Sequence, residues 1–551
     1  MKSSYIGLAE TNYDASKKIW SGKKRKDFFG PDITLGEAAH YILSLMTDKI
    51  VQVMDTTGEQ LTAGQLLRNS KLIAKNLLQL GLKPGDVVGI SASNTTHLSS
   101  VVLSAFLCGM PTNALHPDFD KEGVEGIFRI TKPKVLFCDM ENYAIIKEAV
   151  KSLDLNAEIF VINGELDAVR CIKELLVDDG TRIDLDSLPC RRMTGNDTAV
   201  IVCSSGTTAV PKGVISSHKA LLNQTVISNL QSDSVLLTFS TLFWVSGVFF
   251  LIAALLSGTK RVITNKPYTV EYFEELVEKY RITHTILATH EMVLLMQKAT
   301  PKTGKRLQSI SCIVCGGTKI PLMVMQKFNE IFGTRLQGSG LTEAYGLCEL
   351  AGVLSENDAG AGKRCDGSAG KLMPNMEAQI VEQNTGQLMG VNGIGIIQIR
   401  TPYKWAGYYN NPEATIKANN NGWLYTNDIG YFDDDGFLHI MGRETDVIKS
   451  SGRYVHPPQI EDVVLELPGV LQACVFGMPD EIASRLAACA VVRENNEQGR
   501  RITGQQIEQH VAKRMAYQNH IKAGVFFVEA LPRTASGKVQ RSKVIDMIKL
   551  N

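Results

Sequence analysis

The sequence has 551 residues, of which 44% are hydrophobic and 21% are charged. This composition is typical of folded globular proteins and excludes a largely disordered chain. The 58 Lys and Arg residues nearly balance the 57 Asp and Glu residues and leave a formal net charge of +1, so no bulk positive charge favours nucleic acid or an anionic membrane as a partner. At about 100–200 residues per domain, the length predicts roughly three or four units of domain size.

The longest strongly apolar stretch runs from Leu242 to Leu256 and contains Ser246 and Gly247. It is shorter than the ~20 residues that a membrane-spanning helix needs, so we expect a buried helix there and no membrane span. The first residues lack the apolar core of a signal peptide, and the 11 cysteines are scattered along the chain, which favours a cytoplasmic protein with reduced thiols. A peroxisomal location is the alternative, although the C-terminal residues Lys549-Leu550-Asn551 resemble a Ser-Lys-Leu signal only loosely.

Strand-like apolar runs alternate with helical patterns from about residue 60 to residue 340. We predict strands at 86–91, 134–138, 159–162, 198–203, 235–239, 261–264, 283–288 and 309–315, and helices at 61–82, 97–108, 248–256, 270–280, 291–298 and 321–332. Such alternation with short links is typical of parallel sheets that helices cover on both faces. The length favours more than one sheet, because a single core does not grow this large.

The pattern changes near residue 365, where short strand-like runs and turn dipeptides such as Asn392-Gly393 begin. They predict a small β-rich subdomain at about 365–440. The last strand of the large body is expected at Gly436–Gly442, which gives an N-terminal domain of residues 1–442. Residues 443–551 carry a mixed helix and strand pattern and predict a small α+β C-terminal domain. The predicted fold class is therefore α/β, with parallel αβ-layered sheets, a β-rich subdomain and a small mobile C-terminal domain.

The most informative stretch for chemistry follows the predicted strand at 198–203. It reads Ser204-Ser205-Gly206-Thr207-Thr208 and continues through Pro211-Lys212-Gly213 to a helical pattern from Ser217. Small residues let backbone N–H groups approach phosphate oxygens, and hydroxyls and one lysine add donors and charge. It is not a Walker A loop, because Pro211 stands where that motif needs glycine. Taken alone, the stretch also fits an ordinary strand–turn–helix connection.

The complete string resembles the nucleotide loop of the acyl-adenylate-forming enzymes, the superfamily of acyl-CoA synthetases, firefly luciferase and peptide-synthetase adenylation domains. Further motifs of that superfamily follow in its order at Gln337–Glu343, Gly407–Thr415, Gly422–Gly430, Gly442–Gly452 and Pro532–Lys538. The resemblance covers roughly residues 50–548, and the second half resembles most the luciferase-like acyl-CoA synthetases of insects. It implies a reaction in two steps. A carboxylate attacks the α-phosphorus of ATP to give an acyl-adenylate and pyrophosphate, and the thiol of CoA then displaces AMP.

The resemblance also implies the catalytic residues. Glu343 would bind Mg²⁺, which takes one or two carboxylates beside ATP oxygens, and Thr342 would contact the α-phosphate. Lys538 would reach the carboxylate and the α-phosphate in the first step. A rotation of the small domain about a hinge near Thr445 would then bring Lys449 to the adenylate.

The resemblance assigns further residues to the nucleotide and to the acid. Asp428 would accept hydrogen bonds from the ribose hydroxyls, and Arg443 would hold ribose or phosphate. The expected nucleotide-binding set is Ser204, Ser205, Gly206, Thr207, Thr208, Lys212, Gly316, Gly317, Gln337, Gly338, Ser339, Gly340, Asp428 and Arg443. The expected substrate pocket contains Trp244, Gly247, Ala344 and Tyr345. Singly, Asp428 also fits a turn residue, Lys538 a solvated loop lysine and Glu343 a carboxylate at a helix start.

The sequence departs from the superfamily pattern at several positions. Trp244 replaces a histidine that is linked to placing the substrate carboxylate, and tryptophan has no basic nitrogen. Other departures are Ala209 for Gly, Leu336 for Arg, Ser339 for Tyr, Ile396 for Glu, Thr401 for Gly, and Thr445 for Asp or Lys. Because the Mg²⁺, ribose and lysine positions all match, we interpret the chain as an enzyme with a changed substrate pocket.

Three functions fit these motifs. The leading hypothesis is an ATP-dependent carboxylate–CoA ligase that acts on a medium- or long-chain fatty acid or an aromatic acid. The alternatives are a luciferase-type monooxygenase, which Trp244 disfavours, and a non-catalytic relative that binds nucleotide or acyl chains, which the intact Glu343 and Lys538 disfavour. The expected partners are a small carboxylic acid, ATP, Mg²⁺ and CoA, with no nucleic acid.

Overall fold

The computed structural model describes residues 8–178, 180, 188, 193–204, 212–225, 228, 230–333, 340–358, 364–403, 405–533 and 538–550. Within these residues the helices are α1 Leu35–Ser44, α2 Ala63–Gln79, α3 Leu98–Cys108, α4 Lys121–Thr131, α5 Tyr143–Ser152, α6 His218–Thr225, α7 Val245–Ser257, α8 Val270–Tyr280, α9 Thr289–Lys298, α10 Pro301–Arg306, α11 Leu322–Phe332, α12 Pro412–Ala418, α13 Pro457–Val464, α14 Glu497–Arg501, α15 Gly504–Arg514 and α16 Arg541–Leu550.

The strands of the same residues are β1 Asn12–Asp14, β2 Ile19–Ser21, β3 Ile50–Met54, β4 Gln60–Thr62, β5 Val88–Ser91, β6 Thr112–Ala114, β7 Val135–Cys138, β8 Glu158–Val161, β9 Thr198–Ser204, β10 Lys212–Ser217, β11 Val235–Thr238, β12 Lys260–Ile263, β13 His284–Ala288, β14 Cys312–Gly316, β15 Leu341–Leu347, β16 Gly352–Asp358, β17 Lys371–Leu372, β18 Glu377–Val381, β19 Gly395–Arg400, β20 Asn419–Asn420, β21 Trp423–Phe432, β22 Leu438–Arg443, β23 Ile448–Ser450, β24 Arg453–Val455, β25 Val470–Asp480, β26 Ser484–Arg493 and β27 Val525–Val528.

Two large sheets with parallel centres form the main body. One has the order β10-β9-β6-β5-β7-β8, and the other has the order β17-β16-β15-β14-β13-β11-β12-β3-β4. Pairing is parallel from β9 to β8 and from β15 to β3, and antiparallel only at the edges. Strands such as β5 and β7 are buried along their whole length, as expected when helices cover both faces. The predicted layered α/β fold is confirmed.

Several predicted boundaries differ from the structure by a few residues, and two differences have a clear local cause. The helix expected at 61–82 begins at Ala63, because the Thr62 hydroxyl accepts a hydrogen bond from the Gln65 N–H and caps it. It ends before Gly81, which has a φ of +85°. The segment Lys212–Ser217 forms strand β10 and not a turn into a helix, because it pairs antiparallel with β9.

A third sheet is antiparallel and runs β1-β2-β18-β19-β21-β20, with β22 paired to β21. It corresponds to the β-rich segment predicted at about 365–440, but its first two strands come from residues 12–21. Trp20 is 1% exposed and stacks on Phe432, with the ring centroids 4.8 Å apart. The N-terminal segment therefore belongs to this sheet through a contact between residues distant in the sequence.

One apolar cluster joins these sheets. Every residue of α3 is buried, and the cluster takes most of its side chains from this helix, from parts of α1, α2 and α7, and from all three sheets. The apolar stretch at 242–256 forms the 13-residue helix α7, of which Val248 to Leu255 are buried. None of the described helices is long and apolar enough to cross a membrane.

The C-terminal residues form a small separate core around the sheet β25-β26-β27. Alternate residues of β26 face opposite sides. Cys489 and Val491 pack with α13 and α15, whereas Ala488 and Ala490 pack with α16. Successive side chains of a strand point to opposite faces, and both faces of β26 are buried. The strand is therefore a continuous apolar run.

We expect Gly247→Ala to lower the melting temperature by several degrees. A Cβ atom at Gly247 would lie 2.1 Å from the backbone oxygen of Thr241, and overpacking of this kind costs about 1–3 kcal/mol. Gly126→Ala in α4 is the matched control, since nothing lies within 4 Å of a Cβ atom built there and alanine is favoured in helices by about 1 kcal/mol. Equal melting temperatures for the two variants would contradict the close approach at Gly247.

Candidate active site

Strand β15 carries four of the predicted site residues in a row. Thr342 and Glu343 are 5% and 6% exposed, and Ala344 and Tyr345 are partly buried. Because side chains alternate along a strand, Glu343 and Tyr345 lie on one face and Thr342 and Ala344 on the other. The interpretation of Glu343 as a helix-start carboxylate is wrong, since the residue lies within a strand between β14 and β16.

Glu343 is a buried carboxylate with one oxygen held and one left over. Its Oε1 atom accepts a hydrogen bond of 3.0 Å from the backbone N–H of Ile320. Its Oε2 atom is buried and has no hydrogen-bond partner among the described residues. Burial raises the pKa of Glu343 to about 7, although the positive charges of Arg364 and Lys319 oppose the rise. A single carboxylate with an unused oxygen fits a Mg²⁺ ion that keeps most of its other ligands as water or phosphate.

A second buried carboxylate, Asp428, lies within hydrogen-bond reach of β15. The hydroxyl of Tyr345 donates to Asp428 Oδ2 at 2.6 Å. On the other side Arg443 Nε lies 3.5 Å from Asp428 Oδ1, because the two residues are register partners in the β21–β22 hairpin. Burial raises the pKa of Asp428, and the charge of Arg443 and the Tyr345 hydrogen bond counteract that rise. The interpretation of Asp428 as a turn residue is wrong, since it lies within β21.

Lys538 belongs to the C-terminal segment but lies beside these groups. Burial and the positive charge of Arg443 lower its pKa, while the Cys348 thiol and the Asp428 carboxylate act in the opposite direction. Lys538 is therefore not a solvated loop lysine in this structure. Lys449 lies elsewhere: it is exposed on β23, with its Nζ atom 5.6 Å from the Tyr454 ring centroid.

The predicted nucleotide loop lies between the two strands of a hairpin. Ser204 and Lys212 are register partners at the ends of β9 and β10. Lys212 Nζ lies 4.9 Å from the centre of the Tyr408 ring, and the Tyr408 hydroxyl donates to Glu349 Oε1 at 2.9 Å. The backbone N–H of Tyr409 donates to the Gly213 carbonyl at 2.7 Å. The base of the loop is thus held on the Gly407–Thr415 segment.

Several predicted residues lie outside the described residues, and others lie at strand ends. Outside are Ser205, Gly206, Thr207, Thr208, Gln337, Gly338 and Ser339. Gly340 lies just before β15, and its carbonyl accepts the Ile313 N–H at 2.8 Å. Gly316 ends β14, where a Cβ atom would lie 2.8 Å from the Ala344 carbonyl oxygen. Gly317 follows with a φ of +98°, a conformation that favours glycine.

Trp244 stands directly before α7 and is half-buried in an aromatic group. Its ring centroid lies 4.4 Å from that of Phe243 and 6.3 Å from that of His116. Gly247 is explained by its close approach to Thr241. No described contact joins Trp244 or Gly247 to Ala344 or Tyr345, so their shared pocket stays a prediction.

Sequence reasoning missed three contacts of the site. They are the Tyr345–Asp428 hydrogen bond, the Tyr408–Glu349 hydrogen bond and the packing of His116 on Trp244. Tyr408 belongs to a recognised motif, but nothing in the motif indicates its partner. His116 follows β6 in a segment without a motif, so no signal was present for it.

Comparison with known proteins identifies the family. Residues 45–409 match the family described as AMP-binding enzyme, and residues 459–538 match the AMP-binding enzyme C-terminal domain. The chain is 30% identical over 515 residues to a probable CoA ligase of Humulus lupulus, which covers 91% of this chain and 90% of that protein. It is 28% identical over 517 residues to the peroxisomal OPC-8:0-CoA ligase 1 of Arabidopsis thaliana, with 91% of each chain covered.

Solved structures have the same fold. ATP-bound MatB from Rhodopseudomonas palustris superposes with a TM-score of 0.83 at 21% identity, covering 94% of this chain and 99% of that one. The anthranilate CoA ligase AuaEII in complex with anthranoyl-AMP also gives 0.83, at 20% identity, covering 95% and 98%.

The chain therefore belongs to the AMP-binding enzyme family, and its resemblance to the acyl-adenylate-forming superfamily is confirmed. It is an AMP-forming acid–CoA ligase that acts through an acyl-adenylate, with ATP and CoA as co-substrates and Mg²⁺ as cofactor.

We expect Glu343→Gln to make the protein less sensitive to rising pH. The folded-state pKa of Glu343 is raised from 4.5 to about 7, so its stability contribution is fully present below about pH 4.5 and is lost as pH rises through about 7. A shift of this size corresponds to about 3 kcal/mol. The melting temperature of the unmodified protein, measured without divalent cations, should fall relative to Glu343→Gln between about pH 5 and 8.

The control for this experiment is Glu330→Gln, which removes the same charge from an exposed position. Its pH profile should follow that of the unmodified protein. Parallel profiles for Glu343→Gln and the unmodified protein would contradict the raised pKa.

Proposed function

We propose that the ligase activates an apolar carboxylic acid, either a medium- or long-chain fatty acid or an aromatic acid. The observation that carries its first step is the grouping of Asp428, Arg443 and Lys538, which lies next to the strand of Glu343 through the Tyr345 hydrogen bond. An acid must approach the α-phosphate of ATP there, so one anion meets another. Positioned cations stabilise the transition state of such a reaction, because they offset the repulsion between the two anions.

An apolar acid is supported by what faces β15. Val314 is the register partner of Thr342 and packs against an apolar cluster that includes Phe249 and Phe250 of α7. The face of β15 that carries Thr342 and Ala344 is therefore turned toward apolar side chains of α7. Relatives named as OPC-8:0-CoA ligase and 4-coumarate–CoA ligase also favour this class of acid.

In the proposed first step each residue has a separate task. Asp428 accepts hydrogen bonds from the ribose hydroxyls, and Arg443 keeps that carboxylate charged and holds ribose or phosphate. Lys538 neutralises the approaching carboxylate and the α-phosphate, helped by Thr342. Lys212 and the loop at 204–208 hold the leaving pyrophosphate. Mg²⁺ on Glu343 Oε2 would supply charge stabilisation at the phosphates.

The second step needs Lys449 in place of Lys538. We propose that the chain turns near Thr445, which is exposed in the short turn Glu444–Asp446 after β22. The rotation would break the Lys319–Asp462 ion pair of 2.6 Å and the Tyr454–Asn384 hydrogen bond of 3.1 Å, which join the two parts of the chain.

We propose the boundary between the two domains at residues 442 and 443, where the last strand of the antiparallel sheet ends. We propose a cytoplasmic location. The peroxisome is the alternative, since one relative is named as a peroxisomal CoA ligase.

The two lysines give a paired test of the mechanism. Lys538→Ala should slow pyrophosphate release with acid and ATP by about 100-fold or more, because the charge at the α-phosphate is lost, yet spare CoA transfer from preformed acyl-AMP. Lys449→Ala is the matched variant and should do the reverse. Equal losses in both half-reactions for Lys538→Ala would contradict its role.

The substrate class is tested by a panel of acids assayed with ATP and Mg²⁺, with and without CoA. We expect pyrophosphate release with apolar acids, and CoA should increase it. Trp244→His should change the order of preferred acids and leave ATP binding unchanged, while Tyr41→His, an exposed aromatic position, should change neither. An unchanged acid profile for Trp244→His would remove Trp244 from the pocket wall.

A further inference from the structure

Three side chains of different chemistry meet at the end of the β21–β22 hairpin. Cys365, Asp433 and His439 each present one metal-ligand atom, and these atoms all lie within 4.8 Å of one another. Asp433 and His439 flank the turn between the two strands, and Cys365 comes from the loop before β17. Asp433 follows Asp428 by five residues, roughly 16 Å along an extended strand, so the group lies apart from the Asp428 carboxylate, and none of its three members is one of the predicted site residues.

The carboxylate and the imidazole are already oriented. Asp433 Oδ1 accepts backbone hydrogen bonds from Asp435 at 3.0 Å and Phe437 at 2.9 Å, and Oδ2 lies 2.8 Å from His439 Nε2. The His439 ring stacks on Tyr431 with centroids 4.8 Å apart and planes at 10°. The two backbone hydrogen bonds to Asp433 Oδ1 are supports of the kind that orient metal ligands, whereas the Asp433–His439 hydrogen bond joins two candidate ligands directly.

The backbone of Cys365 is held as firmly. Asn357, which is 1% exposed, donates from Nδ2 to the Cys365 carbonyl at 2.8 Å and accepts the Cys365 N–H at 3.2 Å. The loop then pairs with β22, since Ala369 donates to the Leu438 carbonyl at 2.7 Å and Leu438 donates to the Gly370 carbonyl at 2.8 Å. The thiol therefore reaches the hairpin from a fixed position.

The charges around the thiol are mostly negative. Burial raises the pKa of Cys365 and a hydrogen bond involving Ser368 lowers it, while the charges of Asp433, Asp366 and Asp435 add smaller increases. Arg364 pairs with Asp366 at 2.9 Å, and Lys319 acts on the neighbouring Tyr431. A divalent cation would offset the charge of the carboxylates and deprotonate the thiol, releasing its proton to solvent.

We propose that Cys365, Asp433 and His439 form a Zn²⁺ site, with water as the fourth ligand. Thiolate, imidazole and carboxylate are the donors that Zn²⁺ takes, whereas Mg²⁺ prefers oxygen alone. In a tetrahedral site the donors lie about 3.3–3.8 Å apart, so the side chains need to shift by only about 1 Å, with His439 exchanging its hydrogen bond to Asp433 for the metal. The ion would tie the loop at 364–370 to the β21–β22 hairpin.

The experiment uses untagged, metal-free full-length protein and titrates Co²⁺ as a spectroscopic probe. We expect one equivalent to give a thiolate-to-cobalt charge-transfer band that Zn²⁺ then displaces, and Zn²⁺ to raise the melting temperature. Cys365→Ser should abolish the band, and His439→Asn should weaken Zn²⁺ binding by about 100-fold or more. Cys171→Ser, at another partly exposed cysteine, should leave both unchanged.

A band that persists in Cys365→Ser, or the lack of a saturable one-equivalent response in the unmodified protein, would overturn the proposal. If Cys365→Ser fails to fold, His439→Asn and Asp433→Asn decide by the same titration, and binding that neither variant weakens would also overturn it. The readout needs neither ATP nor an acid, so its outcome is independent of the proposed substrate class.

Discussion

The buried carboxylate of Glu343 is the constraint on which the site depends. Strand β15 keeps this carboxylate buried. One of its oxygens accepts a backbone hydrogen bond, and the other has no hydrogen-bond partner among the described residues. Burial of an ionised carboxylate without a partner costs several kcal/mol, so the group either takes a proton or receives a cation. Its pKa of about 7 places the choice near neutral pH. A buried carboxylate with an unsatisfied oxygen would destabilise a sheet that had only a structural role. It is suited to a site that receives a metal ion and phosphate groups.

The Tyr345–Asp428 hydrogen bond extends this arrangement to a second sheet. It links β15 of the mainly parallel sheet to β21 of the antiparallel one. The cations come from other places: Arg443 from β22, Lys538 from the C-terminal segment and Lys212 from the base of the loop hairpin. No single element therefore contains the site. Burial and the charge of Arg443 disfavour the charged form of Lys538, and the carboxylate of Asp428 counteracts this effect.

Short apolar runs in the sequence predicted the parallel strands well. Each such strand is buried on both faces, so its whole length is apolar and is recognisable without knowledge of distant residues. The motifs also singled out Asp428, Arg443 and Lys538, which the structure brings together. Contacts between distant segments were not predictable: residues 12–21 pair with β18, and Tyr345 contacts Asp428 across 83 positions. Strand β10 was missed for a related reason, since its pairing with β9 depends on a turn whose geometry the loop residues do not reveal.

Two departures from the superfamily pattern, Ile396 and Trp244, lie within the described residues in different surroundings. Ile396, where the superfamily pattern has Glu, is 2% exposed and packs with Ile429, Met441 and Val447. Arg400 still pairs with Glu377, with Nε 2.7 Å from Oε2, and stacks on Trp423. The apolar side chain at position 396 therefore fits its buried surroundings, and the matching Arg400 makes contacts of its own. Trp244 is different, because it stands directly before the apolar helix α7 and offers one N–H donor and no basic nitrogen to its surroundings. The change at Ile396 is therefore absorbed by the surrounding apolar side chains, whereas the change at Trp244 alters which polar group stands in front of α7.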